Sequence, residues 1–346
     1  MDTIAHQRPT VTVGVDTHGE VHVAAVLDAT GRLLGVRQVR ACASGYAELV
    51  GFAEAFGRIE RIGVEGTGSY GAGLARYLTA HGYAVFEVDR PDRRTRRTKG
   101  KSDPIDAEAA ARAVLAGKAI GVPKSGDGVV EILRTLRICR RSAVGARTQA
   151  MNQIHALVLT APQDLRARLE RVAPGDLVDH LARTRPRIPA TPASAALLAL
   201  RELALRHRFL SAQIDRLETD LEVLTTEAAP RLLALFGVGP EVAGALLVTA
   251  GDNPERLRSE GSFAHLCGVA PIPASSGKTN RHRLNRGGDR AANNALWRIV
   301  MVRLAHHGPT KAYMAKRRSE GLSKKETIRC LKRYVAREVY RALLDE

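Results

Sequence analysis

Val11, Val13 and Val15 alternate with smaller or polar residues and the run ends on Asp16, and this pattern constrains the chain more than any other feature. A period of two is that of a strand with one buried face. It recurs in Val21-His22-Val23-Ala24-Ala25-Val26-Leu27 and again over roughly 33–40, with Ala29-Thr30-Gly31-Arg32 between them as a hairpin turn. A helix is predicted around 45–56. The strand Ile62-Gly63-Val64-Glu65 follows and stops at the turn signal Gly66-Thr67-Gly68. A helix near 71–81, a strand over 83–88 and an alanine-rich helix led by Asp103 complete the unit.

Three antiparallel strands followed by alternating helices and strands is the order of a ribonuclease-H-like, mixed-sheet α/β fold. That order brings four carboxylates into play. Asp16 and Glu65 close apolar strands, where a carboxylate is costly to bury unless paired or bound to metal. Asp103 and Asp106, in Ser102-Asp103-Pro104-Ile105-Asp106, are spaced to share one helical face. Converging acidic groups suit a pair of hard cations that clamp a phosphodiester. The two aspartates also have a purely structural reading: Asp103 as an N-cap with Pro104 at the first helical position, and Asp106 as a complement to the helix dipole.

The bulk numbers agree with an anionic partner. The chain has 346 residues and a formal net charge of +17, with a pI near 10.3. Such an excess attracts phosphate polymers and makes binding fall as salt rises. An anionic membrane surface would also attract it, yet no apolar run approaches the length of a membrane-crossing helix and Met1–Ala5 carries no signal-peptide core. Cys42, Cys139, Cys267 and Cys330 are widely spaced and form no C-x-x-C pair, as expected of reduced thiols in a cytoplasmic protein.

Positive charge is concentrated in three places. Arg93, Arg94, Arg96, Arg97, Lys99 and Lys101 run directly up to Asp103, where they could hold a phosphate backbone in register. A loop carries Lys278, Arg281, Arg283 and Arg286, and the last thirty-odd residues read as a basic helical tail. Between these, 126–229 is helical, with one apolar stripe through Leu133, Leu136, Ile154, Leu157 and Val158. A second runs through Leu203, Leu210, Ile214, Leu217, Leu221 and Leu224. The pair reads as an intrachain hairpin or a dimer interface. Leu235-Phe236-Gly237-Val238-Gly239-Pro240 has the tight glycine turn of a helix-hairpin-helix, whose backbone N–H groups can hold a phosphate. Aromatic residues make up 4% of the chain, so a single-strand stacking platform is not expected.

These motifs resemble, over essentially the whole chain, the insertion-sequence transposases with a D-E-D-D tetrad, also known as bridge-RNA-guided recombinases. The residues that carry the likeness are V-G-V-D at 13–16, V-E-G-T-G at 64–68, K-S-D-P-I-D-A at 101–107, L-C-G-V-A-P at 266–271, S-S-G-K at 275–278 and R-G-G-D-R at 286–290. The resemblance implies a RuvC-like nuclease domain over 8–123, a helical coiled-coil region over 124–229 and a transposase domain over 230–346. It further implies that Asp16, Glu65, Asp103 and Asp106 bind Mg2+. The nucleophile would be Ser276, with Ser275 beside it as the alternative, forming a 5′-phosphoserine link. Double-stranded donor and target DNA, a structured guide RNA and a dimeric or tetrameric assembly are the partners so implied. A RuvC-type nuclease that activates water is the competing enzyme. A nucleic-acid-binding scaffold is a third reading, which the clustered acids disfavour, since they do not help to hold a polyanion.

Overall fold

A computed structural model describes residues 8–88, 102–186, 188, 190–276 and 282–344. Arg93, Arg94, Arg96, Arg97, Lys99, Lys101, Lys278 and Arg281 lie outside the described residues. The chain divides into two compact units. One is formed by the chain to Gly126 together with Gly251–Arg258, the other by Asp127–Ala250 together with the chain from Ser259.

In the first unit the strands β1 (Thr10–Thr17), β2 (Val21–Asp28) and β3 (Leu33–Arg40) form an antiparallel meander. Helix α1 (Ala43–Glu54), strand β4 (Arg58–Glu65), helix α2 (Ala72–Ala80), strand β5 (Val85–Val88) and helix α3 (Asp103–Leu115) follow. The sheet order is β3-β2-β1-β4-β5, with β4 and β5 parallel to β1. It is a mixed sheet consistent with a ribonuclease-H-like domain. One face packs Val13, Val15, Ile62 and Val64 against Leu49, Ala53, Leu74 and Leu78 of α1 and α2, all nearly or wholly buried. Each such valine, leucine or isoleucine contributes about 1.5–3 kcal/mol by leaving water.

The other face is built for close approach. Gly14 and Gly63 lie side by side in the β1–β4 register. A Cβ on Gly14 would sit 2.1 Å from the Ala111 nitrogen and 2.3 Å from the Ala107 oxygen, and one on Gly63 2.5 Å from a Val114 methyl. The two glycines therefore form a trough in which α3 lies with its alanine side, Ala107, Ala110 and Ala111, buried against the sheet. The returning segment Gly251–Arg258 is sewn to this unit through Asn253, whose amide donates to the Pro123 carbonyl at 3.0 Å.

The second unit begins with two long helices, α4 (Val129–Thr160) and α7 (Pro192–Ala228), joined through α5 (Gln163–Leu169) and α6 (Leu177–Arg183). Arg140 pairs with Glu218, Ala143 packs with Leu210 and Ile214, and Ile154 packs with Leu200 and Ala204. Rising numbers on one helix meet falling numbers on the other, so the pair is antiparallel. The leucine stripe at Leu210 and Ile214 is thus spent on an intrachain hairpin. The proline-rich break ends in a start signal: Pro192 opens α7 behind a Thr191–Ser194 capping box.

A four-residue helix α8 (Pro230–Leu233) leads through a turn at Gly237 (φ +84°) to α9 (Pro240–Ala250). Helix α10 (Glu260–Leu266), strands β6 (Ile272–Pro273) and β7 (His282–Arg283), and helices α11 (Arg290–His306), α12 (Gly308–Ser319) and α13 (Lys324–Leu344) complete the unit. Among the described residues no helix is long and apolar enough to cross a membrane.

Candidate functional site

The glycine trough decides where the carboxylates go. Side chains alternate across a strand, so Asp16 and Glu65, each two residues beyond a trough glycine, lie on the α3 face of the sheet. Val15 pairs with Val64, which puts Asp16 and Glu65 at the next positions of adjacent parallel strands. The Thr17 hydroxyl donates to the Glu65 carbonyl at 2.8 Å and clasps the two strand ends. Asp103 and Asp106 open α3 over the same ends. Ser102, with extended backbone, is the N-cap and Asp103 is the first helical residue. This shifts by one the capping position expected for Asp103, so its carboxylate is free for another use.

That use involves a residue the sequence reading passed over. His18 Nε2 stands 3.2 Å from Asp16 Oδ2 and 3.4 Å from Asp103 Oδ1. Donor atoms of Asp16, His18 and Asp103 all lie within 4.8 Å of one another, a spacing that could hold a metal ion. Asp106 and Glu65 contribute no atom to that trio. Asp106 is buried at 4% exposure, and its charge acts on Asp16. Burial pushes the Asp16 carboxyl above its ordinary value, the nearby His18 opposes the shift, and Asp106 and then Asp103 reinforce it. A carboxylate so placed gains by meeting a cation. The donor set, rich in carboxylate oxygen with one imidazole nitrogen, fits a hard divalent ion such as Mg2+ or Mn2+.

His18 follows the last residue of β1, Thr17, so the strand's period of two does not reach it and no sequence pattern marks it.

In the second unit, Ser275 and Ser276 are exposed and follow β6, which pairs with β7 through Ile272–Arg283 and Pro273–His282. The serines therefore lie within a hairpin loop whose far limb carries Arg283. The R-G-G-D-R motif does structural work beside it. A Cβ on Gly288 would strike the Gly268 nitrogen at 2.2 Å, so the two backbones touch. Asp289 caps α11 by accepting from the Ala291 and Ala292 N–H groups at 2.7 and 2.9 Å. Arg283 and Arg286 are exposed. At the glycine turn before α9, Glu241 in the first turn is held by Arg137 and Arg140 of α4.

Comparisons with known proteins converge on one family. Residues 13–161, which include all four carboxylates, match the DEDD transposases of IS110 elements. Residues 229–315, which include both serines and the R-G-G-D-R segment, match the Transposase IS116/IS110/IS902 family. A transposase for insertion sequence element IS1328 from Yersinia enterocolitica is 28% identical over 244 residues, covering 67% of this chain and 69% of that one. An IS116 protein of Streptomyces clavuligerus, described as uncharacterized, is 23% identical over an alignment of 373 residues, 93% of this chain and 92% of its own. A probable family 20 transposase of Pseudomonas aeruginosa is 32% identical over 184 residues, 52% of each chain. The carboxylate cluster and the serine-bearing hairpin thus sit inside matched segments, and the chain belongs to the IS110/IS116 family of transposases.

Proposed function

We propose that this transposase cuts and rejoins DNA strands by pairing a metal-binding carboxylate cluster with a serine nucleophile, and that it takes its sites from a structured guide RNA. The observation that supports this most is the meeting of Asp16, His18 and Asp103 at the strand ends, with Asp106 buried beside them. Asp16 and Asp103, with Asp106 and Glu65, would hold Mg2+. The bound ion would draw charge from the scissile phosphate and from the departing oxygen. His18 keeps the two aspartates in register by standing between their oxygens. The positive end of the α3 dipole offsets part of their mutual repulsion.

Ser276 then attacks phosphorus. The Oγ–P bond forms as the P–O3′ bond breaks, the serine gives up its proton, and the 3′ oxygen leaves protonated. A phosphoserine link to the 5′ end stores the phosphodiester energy for rejoining without ATP. Arg283 and Arg286 in the same segment would offset charge on the phosphate. The division into 8–123, 124–229 and 230–346 assigns the carboxylates to the first segment, the intrachain helical hairpin to the second and the serine to the third. Positive charge is ample for both DNA and an RNA duplex.

The test is a covalent one. Purified protein is incubated with Mg2+, labelled DNA from the borders of its own gene and RNA transcribed from the flanking segment, then denatured and mapped by mass spectrometry. A 5′-DNA adduct on Ser276 is expected, lost in Ser276→Ala. Cleaved DNA with free 5′ phosphates and no adduct would instead establish a nuclease that uses water.

A further inference from the structure

The chain has one tryptophan, Trp297, and the fold leaves it 44% exposed. The buried side of α11 is filled by Ala292, Ala295, Leu296, Ile299 and Val300, so the indole is not needed to fill the core there. Arg290, Asn294 and Trp297 are all exposed and share one face by their spacing of four and three. A cleft of about 550 Å³ opens against that face, lined also by Arg286, Arg329 and Lys332. A large aromatic surface kept partly in water among four cations has a plain chemical reading. It suits a ligand that is flat and π-faced at one end and anionic at the other.

The cleft is also held rigid. Asn293 on α11 donates through its amide to the Cys267 and Gly268 carbonyls at 2.9 and 3.1 Å, and accepts from Lys332 of α13 at 2.8 Å. The Gly268–Gly288 backbone contact and the Asp289 cap fix the start of the helix. The Asn285 amide donates to the His265 carbonyl at 3.0 Å and anchors the loop floor. A stacking residue on so fixed a base loses little freedom when it binds.

We propose that this cleft takes one unstacked nucleotide of the nucleic acid this transposase handles. The base lies on the Trp297 indole, the Asn294 amide reads its edge, and Arg290 and Arg329 hold its phosphate. The proposal rests on the reading that the chain acts on DNA, and it adds a demand for a base out of the helix. A volume of about 550 Å³ accommodates a single nucleotide.

Because Trp297 is the chain's one tryptophan, intrinsic fluorescence reports this site without a label. The full chain is titrated with a DNA duplex bearing one bulged base, with the same duplex fully paired, and with heparin as a polyanion without bases. Binding of each is followed separately by anisotropy. The bulged duplex should quench the indole, while paired DNA and heparin bind with little quenching. Trp297→Leu should weaken the bulged duplex about tenfold and leave the paired one unchanged, and Trp297→Phe should restore most of the loss. Bulged DNA that binds by anisotropy without quenching overturns the nucleotide site and leaves DNA binding intact. Equal quenching by heparin overturns it too, and failure of every DNA to bind removes the proposal together with the reading beneath it.

Discussion

Asp16 and Glu65 share a grammar that only the fold explains: each stands two residues beyond a glycine, and both glycines face one helix. The carboxylates were legible in sequence because an acid closing an apolar strand is conspicuous. His18 was not, since a single histidine carries no spacing of its own until the partner helix is in place. A second histidine gives a test at this scale. His22 is wholly buried, stacks on Tyr46 with ring centroids 5.7 Å apart, and leaves Nε2 without a partner among the described residues. Burial lowers its pKa below the ordinary histidine value. The folded chain therefore resists a proton that the unfolded chain accepts, so stability is full above about pH 6.5 and falls as pH drops below it. His22→Phe keeps the stack and removes the titration. Its melting temperature should change less between pH 7 and 5 than that of the wild type, and an equal fall in both would refute the assignment.

Among the elements, α3 carries the greatest consequence, because its closeness to β1 and β4 sets the carboxylate spacing. Gly14→Ala forces a methyl into helix backbone and should destabilise the chain by about 1–3 kcal/mol, as overpacking does. Gly51 offers the control: it lies mid-helix in α1 with nothing within 4 Å of an added Cβ. Gly51→Ala should be stabilising by about 0.5–1 kcal/mol. Urea denaturation of both variants decides this, and equal effects would mean that the trough is not tight. Strand order and helix order were readable from periodicity, because period and turn residues are local. What packs on what was not. A leucine stripe states that a face is apolar without naming its partner, so Leu210 and Ile214 admitted a dimer until α4 was seen to cover them. Likewise the R-G-G-D-R run reads as a basic loop, while its glycine and aspartate serve a backbone contact and a helix cap.

At the scale of the whole molecule, a net charge of +17 coexists with a cluster of acids that does nothing to help hold a polyanion. On the function proposed above, that contrast divides the labour: the cations would bind the nucleic acid and the carboxylates would serve the chemistry. Removing one carboxylate should therefore separate the two. Asp16→Asn is incubated with Mg2+, the flanking-segment RNA and labelled border DNA, and scored in parallel for gel-shift affinity and strand cleavage. Affinity should stay within about twofold of wild type, since no phosphate contact is lost, while cleavage falls by about a hundredfold or more. Cleavage at the wild-type rate in Asp16→Asn, or in wild type stripped of divalent ions with EDTA, would contradict it.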